Sequence, residues 1–171
     1  MDMNMGRDGE TRTDIETRPA DDSDVQRLVA AAVAELNVRY PGDVELEPLP
    51  TTGDHFVAVV DGVAVGVVVL IGVRPGLDEV KRLYVEPGQR GRGVARSLMN
   101  ALEHRAATRG TDVVRLETGT RQPEAMALYE SLGYSLIENY GHYAGSPLSR
   151  CYAKSLPSGD ETSLSARGAG Y

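Results

Sequence analysis

Two valine-rich runs, His55–Val60 and Val63–Val73, meet at Asp61-Gly62. An Asp-Gly pair between apolar runs is a strong hairpin signal, because both residues accept the positive φ that a two-residue turn demands. The hairpin fixes an antiparallel pair, and the period of the sequence changes on either side of it. Upstream, Ser23 is placed to cap a helix whose Val25, Leu28, Val29, Ala32, Val33 and Leu36 form one stripe, and Pro41, Pro48 and Pro50 mark a loop. Downstream of Arg74-Pro75-Gly76 a strand spans Glu79–Val85. Val94, Leu98, Leu102 and Ala106 then recur at helical spacing until Gly110. Val113–Glu117 is a strand; the next helix opens at Gln122-Pro123, turns Ala125, Leu128, Tyr129 and Leu132 inward, and stops at Gly133. Strands near Ser135–Glu138 and Arg150–Lys154 complete the pattern. This order predicts an α/β (α+β) fold, a mixed, mostly antiparallel central sheet flanked by helices. Segments 1–14 and 157–171 are polar and aperiodic and are expected to be disordered, leaving one domain over 15–156.

A chain of 171 residues buries enough surface to need no staple, and its one cysteine, Cys151, excludes an internal disulfide framework or a Cys-based zinc site. Cys151 is expected to be a small buried strand residue. Three scattered histidines give no metal-ligand spacing, so no metal is expected. Trp is absent and Phe occurs once against 8 Tyr, so the core is aliphatic and the aromatic rings favour wet clefts. The net charge of −7 argues against nucleic acid as a partner and suits a cationic substrate. The first residues lack a signal peptide's apolar run, and the stretch from Gly62 to Val73 is shorter than the roughly 20 residues that span a bilayer. No membrane association and a cytoplasmic location are expected.

Against that acidic background, five of the 18 Lys and Arg residues, Lys81, Arg82, Arg90, Arg92 and Arg96, fall between positions 81 and 96. They flank a strand-to-helix turn, where unpaired N–H groups and the helix dipole attract an anion. Gly91 and Gly93 have no side chains to block a phosphate. A nucleoside-triphosphate loop is excluded, since Gly-Lys-Ser/Thr does not occur. The dinucleotide fingerprint is half met: Arg96 stands where its last glycine belongs, although Glu117 could imitate the ribose-binding acid.

Arg90-Gly91-Arg92-Gly93-Val94-Ala95 fits the Q/R-x-x-G-x-G/A signature and resembles that of the GNAT superfamily of acyl-CoA-dependent N-acetyltransferases. Ala125-Met126-Ala127-Leu128-Tyr129-Glu130-Ser131-Leu132-Gly133-Tyr134 is similar to that family's A-x-x-L-Y-x-x-x-G-F/Y helix ending. The resemblance covers about residues 16–156 and implies roles by position. Main-chain groups of Leu83, Tyr84 and Val85 would pair with the pantetheine arm of acetyl-CoA. N–H groups from Arg90 to Ala95 would hold the diphosphate, with charge added by the Arg90 and Arg92 side chains. The Leu83 N–H would face the thioester oxygen, and Tyr129 would protonate the departing thiolate. Gln122 stands where the family often has Asn, leaving its contact with the cofactor open.

An alkylamine is mostly protonated at neutral pH, so acyl transfer to it needs a base. Glu79 is the first candidate, at the head of the cofactor-facing strand; Glu117, at the end of the neighbouring strand, is the second. Tyr140, His142 and Tyr143 lie in a Gly-containing loop that, in this fold, lines the acceptor side. His142 is a base, a substrate contact or an exposed loop residue, and the tyrosines offer a wall for a cation. The resemblance therefore implies transfer of acetyl from acetyl-CoA to a primary amine by direct attack in a ternary complex. The acceptor is a small molecule or a peptide, and the protein a monomer or a homodimer. A silent acyl-CoA-sensing domain and a dinucleotide-dependent oxidoreductase are the alternatives.

Overall fold

A computed structural model describes residues 12–42, 48 and 51–157. The elements are β1 (Thr13–Arg18), α1 (Ser23–Arg39), β2 (Asp54–Val60), β3 (Val63–Arg74), β4 (Leu77–Val85), α2 (Val94–Thr108), β5 (Val113–Gly119), α3 (Pro123–Ser131), β6 (Ser135–Ile137) and β7 (Ser149–Ser155). Single 3-10 turns occur at Pro87–Gln89 and Gly141–Tyr143. The seven strands form one sheet in the order β1-β2-β3-β4-β5-β7-β6, and only β4 and β5 pair in parallel. The expected hairpin turn is present, with φ of 50° at Asp61 and 80° at Gly62.

Strand β1 was not expected from the sequence. Its residues, TDIETR, offer one apolar side chain, so alternation gives no signal. It pairs antiparallel with β2 at the sheet edge, where a charged face is favourable because it discourages pairing with another chain. Thr13 and Asp14, assigned to a disordered arm, belong to this strand. Residues 1–11 and 158–171, the rest of the expected arm and nearly all of the expected tail, lie outside the described residues. Helix α1 is capped by Asp22 rather than Ser23; the Asp22 carboxylate accepts from the N–H groups of Asp24 and Val25.

Strand alternation divides the core in two. Phe56, Ala58, Val68, Leu70, Val80, Val114 and Leu116 face α2, whose Leu98, Met99 and Leu102 are wholly buried among them. Val57, Val59 and Val67 face the other way, onto Val25 and Leu28 of α1. Burying each leucine contributes about 1.5–3 kcal/mol, enough to hold both helices against the sheet. Cys151 is buried in β7 as expected.

Candidate active site

The two central strands part company halfway along. β4 and β5 pair from Leu77 opposite Val113 to Val80 opposite Leu116 and no further, although β4 runs on to Val85 and β5 to Gly119. The pairing of β4 with β3 shifts between Lys81–Val69 and Tyr84–Val67, which leaves one extra residue in β4. Within that bulge Arg82 has φ 55°, a left-handed conformation costing ~1–2 kcal/mol for a residue with a side chain. The bulge bends β4 away from its neighbour. On the other side the Tyr40 hydroxyl accepts the Arg121 N–H at 2.8 Å and packs against Gly119. A Cβ at Gly119 would fall 1.9 Å from that hydroxyl, so only glycine fits. The gap is a cleft of about 580 Å³ whose lining includes Leu83, Tyr84, Glu117, Gln122 and Tyr129.

Beyond Tyr84, the last residue of β4 to line the cleft, Val85 leads through Pro87–Gln89 into α2. Gly93, the N-cap, has φ 79°, and no side chain caps the helix, so its first N–H groups are open to a ligand. Gly91 has φ 76°. The Arg90 side chain is exposed but tied down: Nε donates to the Val85 carbonyl at 2.8 Å and a terminal nitrogen lies 2.8 Å from the Glu35 carboxylate. Arg96 donates to the Ser131 hydroxyl. The basic cluster of the sequence is therefore dispersed, with Arg90 bracing the loop and Arg92 exposed beside the open N–H groups.

The other end is built on the α1 side of the sheet. Glu79 and Lys81 alternate there on β4, and Arg115, in register with Glu79, and Glu117 alternate on β5. Glu79 is buried, with Oε1 2.7 Å from the Lys81 ammonium and Oε2 3.3 Å from the Arg115 guanidinium. Burial pushes the Glu117 carboxyl above the usual carboxylate range, against a hydrogen bond from Ser149 and the charges of Lys81 and His142. Burial opposes the charge on Lys81, but its bonds to Glu79 and Tyr143 outweigh that and raise its pKa. Tyr129 is buried, and loss of solvent, with Glu117 nearby, holds its hydroxyl protonated well above the ordinary phenol value.

The loop before β7 covers this end. Tyr140, His142 and Tyr143 all line the cleft, and the His142 and Tyr143 rings are in contact at 3.9 Å between centroids, tilted by 43°. The protein's own cations meet both tyrosines, Arg115 over the face of Tyr140 and Lys81 at the hydroxyl end of Tyr143. Arg115 lies 3.8 Å from the Tyr140 ring centroid, and Lys81 lies 5.2 Å from that of Tyr143 while donating to its hydroxyl at 2.9 Å.

The sequence profile of the acetyltransferase (GNAT) family matches residues 26–134. The chain belongs to this family. An IAA acetyltransferase of Azospirillum brasilense is 33% identical over 148 residues, which cover 80% of this chain and 96% of that protein. The structure of an acyl-CoA N-acyltransferase from Klebsiella pneumoniae superposes with a TM-score of 0.75 at 30% identity, covering 85% of this chain and 98% of that one. A GNAT acetyltransferase from Elizabethkingia anophelis with acetyl-CoA bound shares the fold, with a TM-score of 0.65 at 17% identity over 84% of this chain and 98% of that one.

As a GNAT protein the chain is an acyltransferase, and the dinucleotide alternative is overturned. Its loop follows an antiparallel strand pair, not the first turn of a doubly wound parallel sheet. Glu79, Leu83, Tyr84, Glu117, Gln122, Tyr129, Tyr140, His142 and Tyr143 line this cleft, whereas the Val85 side chain is buried in the core on the α2 side. Arg115, Ser149 and Tyr40 were missed. The partners they meet lie on other elements, and no local spacing announces them. Among the described residues no helix is long and apolar enough to cross a membrane.

Proposed function

We propose that the protein transfers the acetyl group of acetyl-CoA to a primary amine by direct attack within a ternary complex. The observation that carries this reading is the parting of β4 from β5, with open helix N–H groups beyond one end of the gap and the half-buried Glu117 carboxylate at the other. Such a gap leaves main chain at Leu83–Val85 available to an extended ligand arm, as a missing strand would be. The N–H groups from Arg90 to Ala95, with Arg92, suit a diphosphate, and Gln122 at the start of α3 lines the same side.

Acetyl-CoA supplies an activated thioester; the remaining work falls to the chain. Glu117 takes the proton from the acceptor ammonium, a role its burial suits because a raised pKa brings a carboxylate closer to the operating pH. Glu79 is less suited, since both of its oxygens are already engaged by cations; it positions Lys81 and Arg115. The Leu83 N–H steadies the charge that builds on the acetyl oxygen. Tyr129 gives its proton to the sulfur as the carbon–sulfur bond breaks and the carbon–nitrogen bond forms.

Calorimetry with acetyl-CoA, followed by thiol release in the presence of amines, tests the proposal. Saturable binding and amine-dependent thiol release are expected. Absence of binding would sink it at the first step, and binding without thiol release from any amine would leave a CoA-sensing domain.

A further inference from the structure

We infer that the acceptor is a free α-amino acid, its carboxylate received by Lys81 and Arg115 and its amine presented to Glu117. The inference rests on the acetyl-transfer reading and adds the acceptor's chemistry.

Four charged side chains side by side on the α1 face of a sheet centre are costly unless something uses them. Glu79 is a single negative charge shared between two cations, so this trio keeps one positive charge in surplus. The cations are also the more accessible members, with side-chain exposures of 15% for Lys81 and 24% for Arg115 against 8% for Glu79. A ligand entering the cleft therefore meets ammonium and guanidinium first. Arg115 is not saturated by Glu79: Nε and one terminal nitrogen share a single oxygen, both at 3.3 Å, rather than the two-oxygen fork a guanidinium prefers.

A polyamine or other purely cationic acceptor, which the net charge of the chain suggested, fits poorly. It would face two like charges, and the Tyr140 face that could have held it is occupied by Arg115, while the Tyr143 ring is met by His142 and, at its hydroxyl, by Lys81. A phosphate monoester, with a charge near −2, would overfill one surplus positive charge beside Glu79 and Glu117. One carboxylate balances it. Glu117 stands one alternation beyond Arg115 on β5, so a group binding both spans a short distance, as the carboxylate and amine of an α-amino acid do. Ala32 and Leu36 of α1 and Ile71 of β3 line the remaining wall, which suits an apolar side chain. Transfer replaces one amine hydrogen by acetyl and releases CoA as the thiol, with no further reactant.

The test uses the full chain, acetyl-CoA and the proteinogenic amino acids, each beside its amide and its decarboxylated amine. Thiol release gives kcat/KM, and calorimetry on the CoA-bound protein gives acceptor affinity. At least one apolar amino acid is expected to exceed its amide and amine by ~10²-fold. Lys81→Met is expected to shrink that preference by ~10-fold or more, mainly through KM, with acetyl-CoA binding retained. Amides or simple amines turned over as well as the acids would overturn the inference and leave acetyl transfer standing. Thiol release from none of them, with acetyl-CoA bound, overturns the inference as well, and the wider amine screen then decides the acetyl-transfer reading. If Lys81→Met does not fold, the wild-type comparison of acid with amide decides alone.

Discussion

Beyond Tyr84, over Val85–Ala95, the groups proposed to meet a ligand are main-chain N–H groups flanked by two exposed arginines, whereas at the Glu79–Glu117 end they are side chains from two adjacent strands and a loop. The first end is a continuous piece of chain whose shape follows from Gly91, Gly93 and the opening of α2. The second exists only once β4 and β5 are in register and the last loop has folded over them. Substitution should therefore act differently at the two ends. Side-chain truncation barely touches a site made of peptide groups, but it removes the chemistry from one made of carboxylates and hydroxyls.

Glu117→Gln should produce the largest effect. Loss of a positioned base lowers kcat by ~10²–10⁴-fold, while acetyl-CoA affinity, set at the other end, stays within about twofold. The same substitution should stabilise the fold. The Glu117 carboxyl binds its proton more tightly folded than unfolded. Its contribution to stability is thus present below the ordinary carboxylate pKa and is lost as pH rises through the folded value. Above that value the ionised side chain is a cost, and the amide removes it, raising Tm at pH 7. Melts at pH 7 and pH 4 check the sign, because the gain should shrink at the lower pH. For the wild type, kcat/KM should fall on the acid side with a midpoint above the usual carboxylate range. A Glu117→Gln enzyme of normal kcat would transfer the base role elsewhere.

Tyr129→Phe comes next. A thiol ionises near pH 8.5, so the sulfur departs tolerably without help, and loss of the hydroxyl should cost ~10²-fold in kcat, the low end for general acid catalysis. Acetyl-CoA KM should change little. Because the Tyr129 ring packs edge-on against Tyr134 at 5.9 Å and beside Tyr152 at 6.2 Å, phenylalanine preserves the packing, and an unchanged Tm separates chemistry from structure. Unchanged kcat would restrict Tyr129 to the core.

The contrast between the ends also explains what could be read from the sequence. The hairpin, the helical stripes and the glycine turn are local patterns, and each is found where its spacing puts it. Strand β1 escaped because a polar edge strand has no alternation to detect. At the acceptor end the difficulty is register. Asp78 and Glu79 are consecutive and both buried, yet they face opposite sides of the sheet. Asp78 is locked by Arg109 and by the Thr111 hydroxyl on the α2 side, while Glu79 meets Lys81 and Arg115 in the cleft. Nothing in the dipeptide says which carboxylate does which. The role of Arg115 depends on its pairing opposite Glu79, and that pairing is decided by the fold.

The smallest effects should come from Arg90 and Arg92, in the loop proposed to hold the diphosphate, and they should differ in kind. Arg92 is exposed, so Arg92→Ala removes charge alone. An exposed ion pair contributes about 0.2–1 kcal/mol, so loss of the Arg92 charge should lower acetyl-CoA affinity by about fivefold at most. That loss should fade near 1 M salt, where screening acts over about 3 Å. Arg90 instead ties Val85 to Glu35 across the loop, so Arg90→Ala should lower Tm and weaken acetyl-CoA binding by an amount that salt does not erase. Calorimetric Kd values for both variants at low and high salt make the distinction. If Arg90→Ala behaved as Arg92→Ala does, the diphosphate would be held by guanidinium charge, and the main-chain character of this end would have to be given up.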